Sequence, residues 1–239
     1  MHTITVDHVT KIFATAEGKK TAVHDVSFSL AEGTLTVIGG ENGSGKSVLM
    51  NIIAGLETAT SGTVASYGKA GLVFQEADTQ ILGETPREDI SFGPKNQKKS
   101  KAAIAQAVAS ALEQVGLTAK ADFPARFLSG GEKRRLAVAC MLAMDLPIII
   151  FDEPYANLDF GGVQQVNALI KKLKSQKKTI IILSHELEKC LGLADRFIVL
   201  FRGEKVFDGT PQEGLAQPLE QWNIRHPLAR YESVADLVW

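Results

Sequence analysis

The stretch Gly40-Glu41-Asn42-Gly43-Ser44-Gly45-Lys46-Ser47 limits the fold of this chain more than any other. It fills the pattern G-x-x-x-x-G-K-[ST] at every fixed position. Such a loop works where a strand runs into a glycine-rich turn and the turn opens a helix, so that backbone N–H groups converge on phosphate oxygens. The flanks supply that context: residues 34–38 are a short β-branched run, and 48–54 are an apolar segment of helical length. Gly40, Gly43 and Gly45 give backbone freedom, and Glu41, Asn42, Ser44 and Val48 complete the lining. Lys46 offers a mobile charge to the outer phosphates and Ser47 a hydroxyl to Mg²⁺. The segment specifies a nucleoside-triphosphate site and leaves kinases, GTPases and motors open.

The rest of the chain predicts an α/β fold. Residues 3–12 and 22–30 alternate apolar and polar positions and read as an antiparallel β region. Short apolar strands at 34–38, 71–75, 148–151 and 179–183 alternate with helical texture, which indicates a parallel sheet. Ile104, Val108, Ala111, Leu112 and Val115 recur at helical spacing, with Gly116 as the stop; Val163, Val166, Leu169, Ile170 and Leu173 form another helical face. The expected division is a nucleotide-binding core with the β region at 1–75 and 146–210, an inserted helical part at 76–145 and a C-terminal extension at 211–239.

Two acids and one serine stand where chemistry is expected. Asp152 ends the strand at 148–151 and Glu153 follows it, and a carboxylate at the carboxyl end of a parallel strand faces the ligand crevice. Asp152 is expected to hold Mg²⁺ through water, and Glu153, ionised at neutral pH, to polarise the attacking water as general base. Ser129 precedes Gly130-Gly131-Glu132 and an amphipathic helix carrying Leu136 and Cys140. It is placed as an N-cap, aiming a hydroxyl and the helix's positive end outward.

Leu128-Ser129-Gly130-Gly131-Glu132 downstream of the phosphate loop resembles the signature sequence of ABC (ATP-binding cassette) transporter ATPases. The resemblance implies a P-loop NTPase core with an antiparallel β subdomain and an inserted α-helical subdomain. It also implies hydrolysis of MgATP and a head-to-tail dimer, identical or mixed, in which each ATP is held by Lys46 of one subunit and by Ser129, Gly130, Gly131 and Glu132 of the other. His185 matches the family's switch histidine, and Gln75 the glutamine that links the metal site to the membrane partner. Asp159, in Ala156-Asn157-Leu158-Asp159, is expected at the dimer seam. Phe13 is the candidate for stacking on adenine, with an edge core aromatic as the other reading. The chain departs from the family at Val48, for Thr, and at Tyr155, where D-E-P-T is usual; neither position is expected to touch the metal.

Two further segments, 73–82 (VFQEADTQIL) and 88–94 (EDISFGP), resemble elements of energy-coupling factor (ECF) ATPases, as does Lys133-Arg134-Arg135. That resemblance implies an importer of a vitamin or a transition-metal ion, with a scaffold membrane subunit docking beside Gln75 and a second membrane subunit capturing the substrate. Glu88 and Asp89 are expected on the docking surface. The implied location is the cytoplasmic face of the membrane, held peripherally, because no apolar run approaches the ~20 residues of a span. Other classes fit less well. A soluble ABC protein of DNA or ribosomes usually carries a coiled-coil insertion or tandem cassettes, and a small-molecule kinase needs neither 128–132 nor Glu153. A formal net charge of -1 gives no general attraction to nucleic acid. The lysine-rich stretches at 95–101 and 171–178 read as solvated faces. Cys140 and Cys190, isolated in sequence, read as small buried hydrophobes.

Overall fold

Four strands that are apolar along nearly their whole length decide the architecture, because such strands need cover on both faces. The computed structural model describes residues 2–16, 18–229 and 233. In chain order the elements are β1 (His2–Thr15), β2 (Gly18–Ala31), β3 (Leu35–Gly39), α1 (Lys46–Ile53), β4 (Ser61–Ser66) and β5 (Ala70–Val73). Then come α2 (Pro86–Asn96), α3 (Lys101–Gln114), α4 (Gly130–Ala143), β6 (Ile148–Asp152), α5 (Phe160–Ser175), β7 (Thr179–Leu183), β8 (Arg196–Phe201), β9 (Glu204–Gly209) and α6 (Pro211–Leu215).

The six-stranded sheet runs β5-β6-β7-β3-β8-β9, parallel except for the last pair. Its side chains divide with period two. Leu35 and Val37, Ile149 and Phe151, Ile180 and Ile182, and Phe197 and Val199 face a core shared with α3, α4 and α5. Their alternates, Ile38, Ile148, Ile150, Ile181, Leu183, Ile198 and Leu200, face α1 and the three-stranded antiparallel sheet β2-β1-β4. Each fully buried side chain of this size contributes about 2 kcal/mol, so both faces hold the sheet.

The expected antiparallel region is present, as β1 paired with β2, and β4 adds a third strand to it. The helix predicted from Ile104 to Val115 is α3, and Gly116 ends it in a left-handed conformation (φ 69°). Among the described residues five helices start on side-chain caps: Thr85 on α2, Ser100 on α3, Ser129 on α4, Asp159 on α5 and Thr210 on α6. Each satisfies one of the first-turn N–H groups that a helix leaves unpaired. Among the described residues no helix is long and apolar enough to cross a membrane.

Candidate functional site

Three adjacent strands, β6, β7 and β3, deliver their carboxyl ends to one edge of the sheet. The glycine loop follows β3, Asp152 closes β6, and Ser184-His185 follows β7. Two glycines in the loop have no substitute. Gly40 has φ 148° and a Cβ there would stand 2.2 Å from the Leu200 carbonyl oxygen; Gly45 has φ 99° and its Cβ would stand 2.4 Å from the Ala22 oxygen. Gly43 (φ 83°) meets nothing, so its glycine serves the turn alone. Lys46, 5% exposed, donates from Nζ to the carbonyls of Gly40 (2.7 Å) and Glu41 (2.9 Å). Burial holds its pKa below the ordinary lysine value, against the opposing pull of Glu153, Asp152 and Glu41. The Ser44 hydroxyl is buried without a hydrogen-bond partner. A buried ammonium, an orphaned hydroxyl and a backbone too close for side chains together fit a phosphate group.

Burial pushes the carboxyl pKa of Asp152 up, while the neighbouring Ser47 side chain favours its ionised form. One carboxylate and one hydroxyl, both hard oxygen donors, fit Mg²⁺, which takes few protein ligands and completes its shell with water and phosphate. No cluster of three His, Cys, Asp or Glu side chains suited to a metal exists among the described residues.

Glu153 is 6% exposed, with φ 46°, and its N–H donates to the Leu183 carbonyl at 3.0 Å. This unusual backbone conformation sits at the turn off β6, where strain is held by the β7 contact. His185 Nδ1 lies 3.0 Å from Glu153 Oε1, and the His185 N–H donates to Oε2 at 3.4 Å. Oε1 is buried and has no hydrogen-bond partner, which leaves it able to accept one.

A second cleft, of about 750 Å³, lies between the start of α4 and the loop before α5. Ser129 caps α4 in a reciprocal box: its Oγ accepts from the Glu132 N–H (3.3 Å) and its N–H donates to Glu132 Oε2 (2.9 Å). Lys120 Nζ reaches the other Glu132 oxygen at 2.6 Å. Across the cleft, Asp159 caps α5 through Gly162, 2.7 Å away, and Gln75 stands exposed on the rim. Beside Asp159, Phe160 is 79% exposed.

With this geometry in place, the likeness to known proteins is specific. A family model described as ABC transporter matches residues 23–156. The chain belongs to the ABC transporter family. Energy-coupling factor transporter ATP-binding proteins of Methanospirillum hungatei (EcfA2) and Mycoplasma mobile (EcfA1) are each 38% identical, over 82% and 84% of this chain. The chain spans 78% of the Mycoplasma protein but only 53% of the longer Methanospirillum one. Among solved structures, cbiO1 from Clostridium perfringens, part of the ABC transporter complex cbiONQ, superposes with a TM-score of 0.81. It is 29% identical, over 95% of this chain and 96% of that one.

Several side chains of this ABC ATPase make contacts that the sequence did not reveal. Arg134, 7% exposed, donates from one guanidinium nitrogen to the carbonyls of both Gln75 (3.3 Å) and Ala156 (3.1 Å), tying the glutamine loop to the loop before α5. Its burial holds its pKa below the usual arginine value. Gln80 pins the end of β5, accepting from the Phe74 N–H (2.8 Å) and donating to the Leu72 carbonyl (2.7 Å). Tyr155 is buried and donates to Asn167 Oδ1 at 2.7 Å, fixing the loop onto α5. Phe13 is half-buried on β1 opposite Lys20, with Lys11 Nζ 4.9 Å from its ring centroid.

One expectation needs correction. Asp89 is not a surface charge. It is 5% exposed, accepts from the N–H groups of Leu82 (2.8 Å) and Gly83 (2.9 Å), and receives the Cys140 thiol at 3.3 Å. Burial against this carboxylate drives the Cys140 pKa far above the ordinary thiol value. Glu88 alone of the pair is exposed, accepting from the Glu84 N–H at 3.1 Å.

Proposed function

We propose that this ABC transporter ATPase powers an ECF-type importer of a vitamin or a transition-metal ion, from the cytoplasmic face of a membrane. The observation that carries the ECF reading is a groove of about 410 Å³ beside Gln75, lined by Leu56, Phe74, Gly93, Gln97 and Met144. Phe74, Gln80 and Gly93 of its lining come from the two segments that resemble ECF ATPases, and Leu56 at its edge is 62% exposed. An apolar helix end of a scaffold membrane subunit suits it. The names of the relatives and the cbiONQ complex of the structural neighbour support the same reading.

The chemistry would proceed from the chain's own residues. Lys46 and the loop N–H groups hold the terminal phosphates of ATP, and Phe13 stacks on its adenine. Glu153 accepts a proton from the attacking water at its free Oε1, with His185 beside it to sense the γ-phosphate. Mg²⁺, bound by Ser47 and Asp152 with Gln75 nearby, would neutralise phosphate charge. Ser129 and the positive end of α4, with Asp159 at the seam, complete the site of a second cassette, identical or related.

The test is purification of tagged protein from membranes, followed by mass identification of what accompanies it. The expected companions are a polytopic scaffold and a small substrate-capturing membrane protein. Leu56→Arg should reduce their recovery while nucleotide affinity is unchanged. Recovery of a membrane protein of another ABC class would limit the reading to ABC transport; recovery of nucleic acid or ribosomes would overturn transport altogether.

A further inference from the structure

The phosphate-loop motif demands nothing of its second position, yet in this chain that position is held from the far end of the sequence. The Glu41 carboxylate accepts a hydrogen bond from Asn223 Nδ2 at 2.7 Å, across 182 residues. A bond to a charged acceptor at this length is among the stronger of its kind.

Asn223 is presented by a fixed turn. It ends a single 3₁₀ turn, Leu219–Trp222, in the left-handed conformation (φ 55°, ψ 31°), a region that Asn tolerates better than most residues. Its N–H donates to the Glu220 carbonyl at 3.0 Å, and the Ile224 N–H to Leu219 at 3.2 Å. Leu219, Trp222 and Ile224 on either side are 0%, 9% and 3% exposed and belong to the core on the α5 side of the sheet. Three buried anchors thus aim one surface amide at the loop.

The other partner is equally placed to matter. The Glu41 backbone carbonyl accepts from Lys46 Nζ (2.9 Å) and from the Ser44 N–H (3.2 Å), so the loop's internal bonds converge on this residue. Its carboxylate is also one of the three charges felt by Lys46. A negative group beside a site for a polyanion costs binding unless its position is controlled.

We propose that Asn223 is a positioning residue for the phosphate loop: the C-terminal turn fixes Glu41, and through it the carbonyl that orients Lys46 and the place of the loop's own negative charge. This rests on the loop being the nucleotide site. Asn223→Asp sets carboxylate against carboxylate, and adding Glu41→Gln reverses donor and acceptor and restores the bond. Asn223→Gly removes the amide but keeps the left-handed backbone, so loss of the fold is not in question.

Two measurements decide. Hydrogen exchange of the amides at 41–47 in nucleotide-free protein should quicken in Asn223→Asp and Asn223→Gly and return to the wild-type rate in the double variant. Titration with a fluorescent ATP analogue should show affinity weakened about fivefold in Asn223→Asp and restored within about twofold in the double variant. Wild-type exchange in both single variants, or no restoration by the double variant, overturns the proposal. A wild-type protein that binds no nucleotide would instead overturn the reading of the site, and the exchange rates would still decide the role of Asn223.

Discussion

Nδ1 of His185 stands 3.0 Å from Oε1 of Glu153, joining the second residue after β7 to the first residue after β6. Neither contact is local in sequence; the parallel pairing of Asp152 with Leu183 creates it. The imidazole is 45% exposed while the carboxylate is 8% exposed, so the pair has a wet side and a dry side. A buried carboxylate oxygen with no hydrogen bond is costly unless something else is to bind there. A water positioned for attack, as the proposed general-base role requires, would meet that requirement.

Glu153→Gln keeps the shape of this arrangement and removes its charge. Phosphate release should fall by ~10²-fold or more, the range for loss of a general base, while nucleotide affinity persists. Turnover close to wild type would remove Glu153 from the base role.

Arg134 offers a different test, of coupling between loops. Replacing it with Met keeps most of the buried volume but cuts the bonds to the Gln75 and Ala156 carbonyls. Stability to urea should drop by about 1–2 kcal/mol, the value of charge-assisted bonds less the gain from burying no charge. Exchange at 75–78 and at 156–159 should quicken together. If only one loop responds, Arg134 does not link them.

The features legible in the sequence were those with a fixed period or a fixed motif. Two-sided apolar strands such as Ile148-Ile149-Ile150-Phe151 announce a covered parallel sheet, and S-G-G-E announces the capping box at Ser129. β4 was illegible, because Ser61–Ser66 is mostly exposed and is recruited by backbone pairing to β1 rather than by side chains. The reading of Asp89 failed for a related reason: an acid beside Glu88 looks solvated, and only the fold reveals two N–H groups and a thiol converging on it. Arg134 and Asn223 were hidden because their partners lie 59 and 182 residues away.

Glu132 carries a pH signature. Lys120 first, and the Ser129 N–H second, hold its carboxyl below the unfolded value of 4.5. A folded pKa below the unfolded one means that the ionised form adds stability above 4.5, and that this is lost as pH falls through the lower folded value. Glu132→Gln should therefore cost about 1 kcal/mol at neutral pH, and the gap to wild type should close below pH 4.5. A gap independent of pH, in chemical denaturation, would mean that the carboxylate charge is not what stabilises the cap.

The separation of Ser129 from Lys46 yields the final prediction. Among the described residues, the cleft that holds Ser129, Gln75 and Asp159 is lined without Lys46, which opens α1 after the glycine loop. Each feature is suited to an anion, the first by a capped helix start and the second by a buried ammonium. One chain would thus carry two halves of a phosphate site, one in the cleft and one at the glycine loop, and an exposed Phe160 beside Asp159 gives the cleft an apolar edge to bury. Two copies set head to tail would close both halves. Lys46→Ala and Ser129→Arg chains should each bind ATP poorly as paired sites. Mixed, they should form dimers in which one site combines intact Lys46 with intact Ser129 and the other has lost both. Nucleotide titration of the purified mixed dimer should then recover one tight site per two chains. Confirmed pairing with no recovered site would place Ser129 outside the nucleotide site and leave its hydroxyl as a helix cap alone.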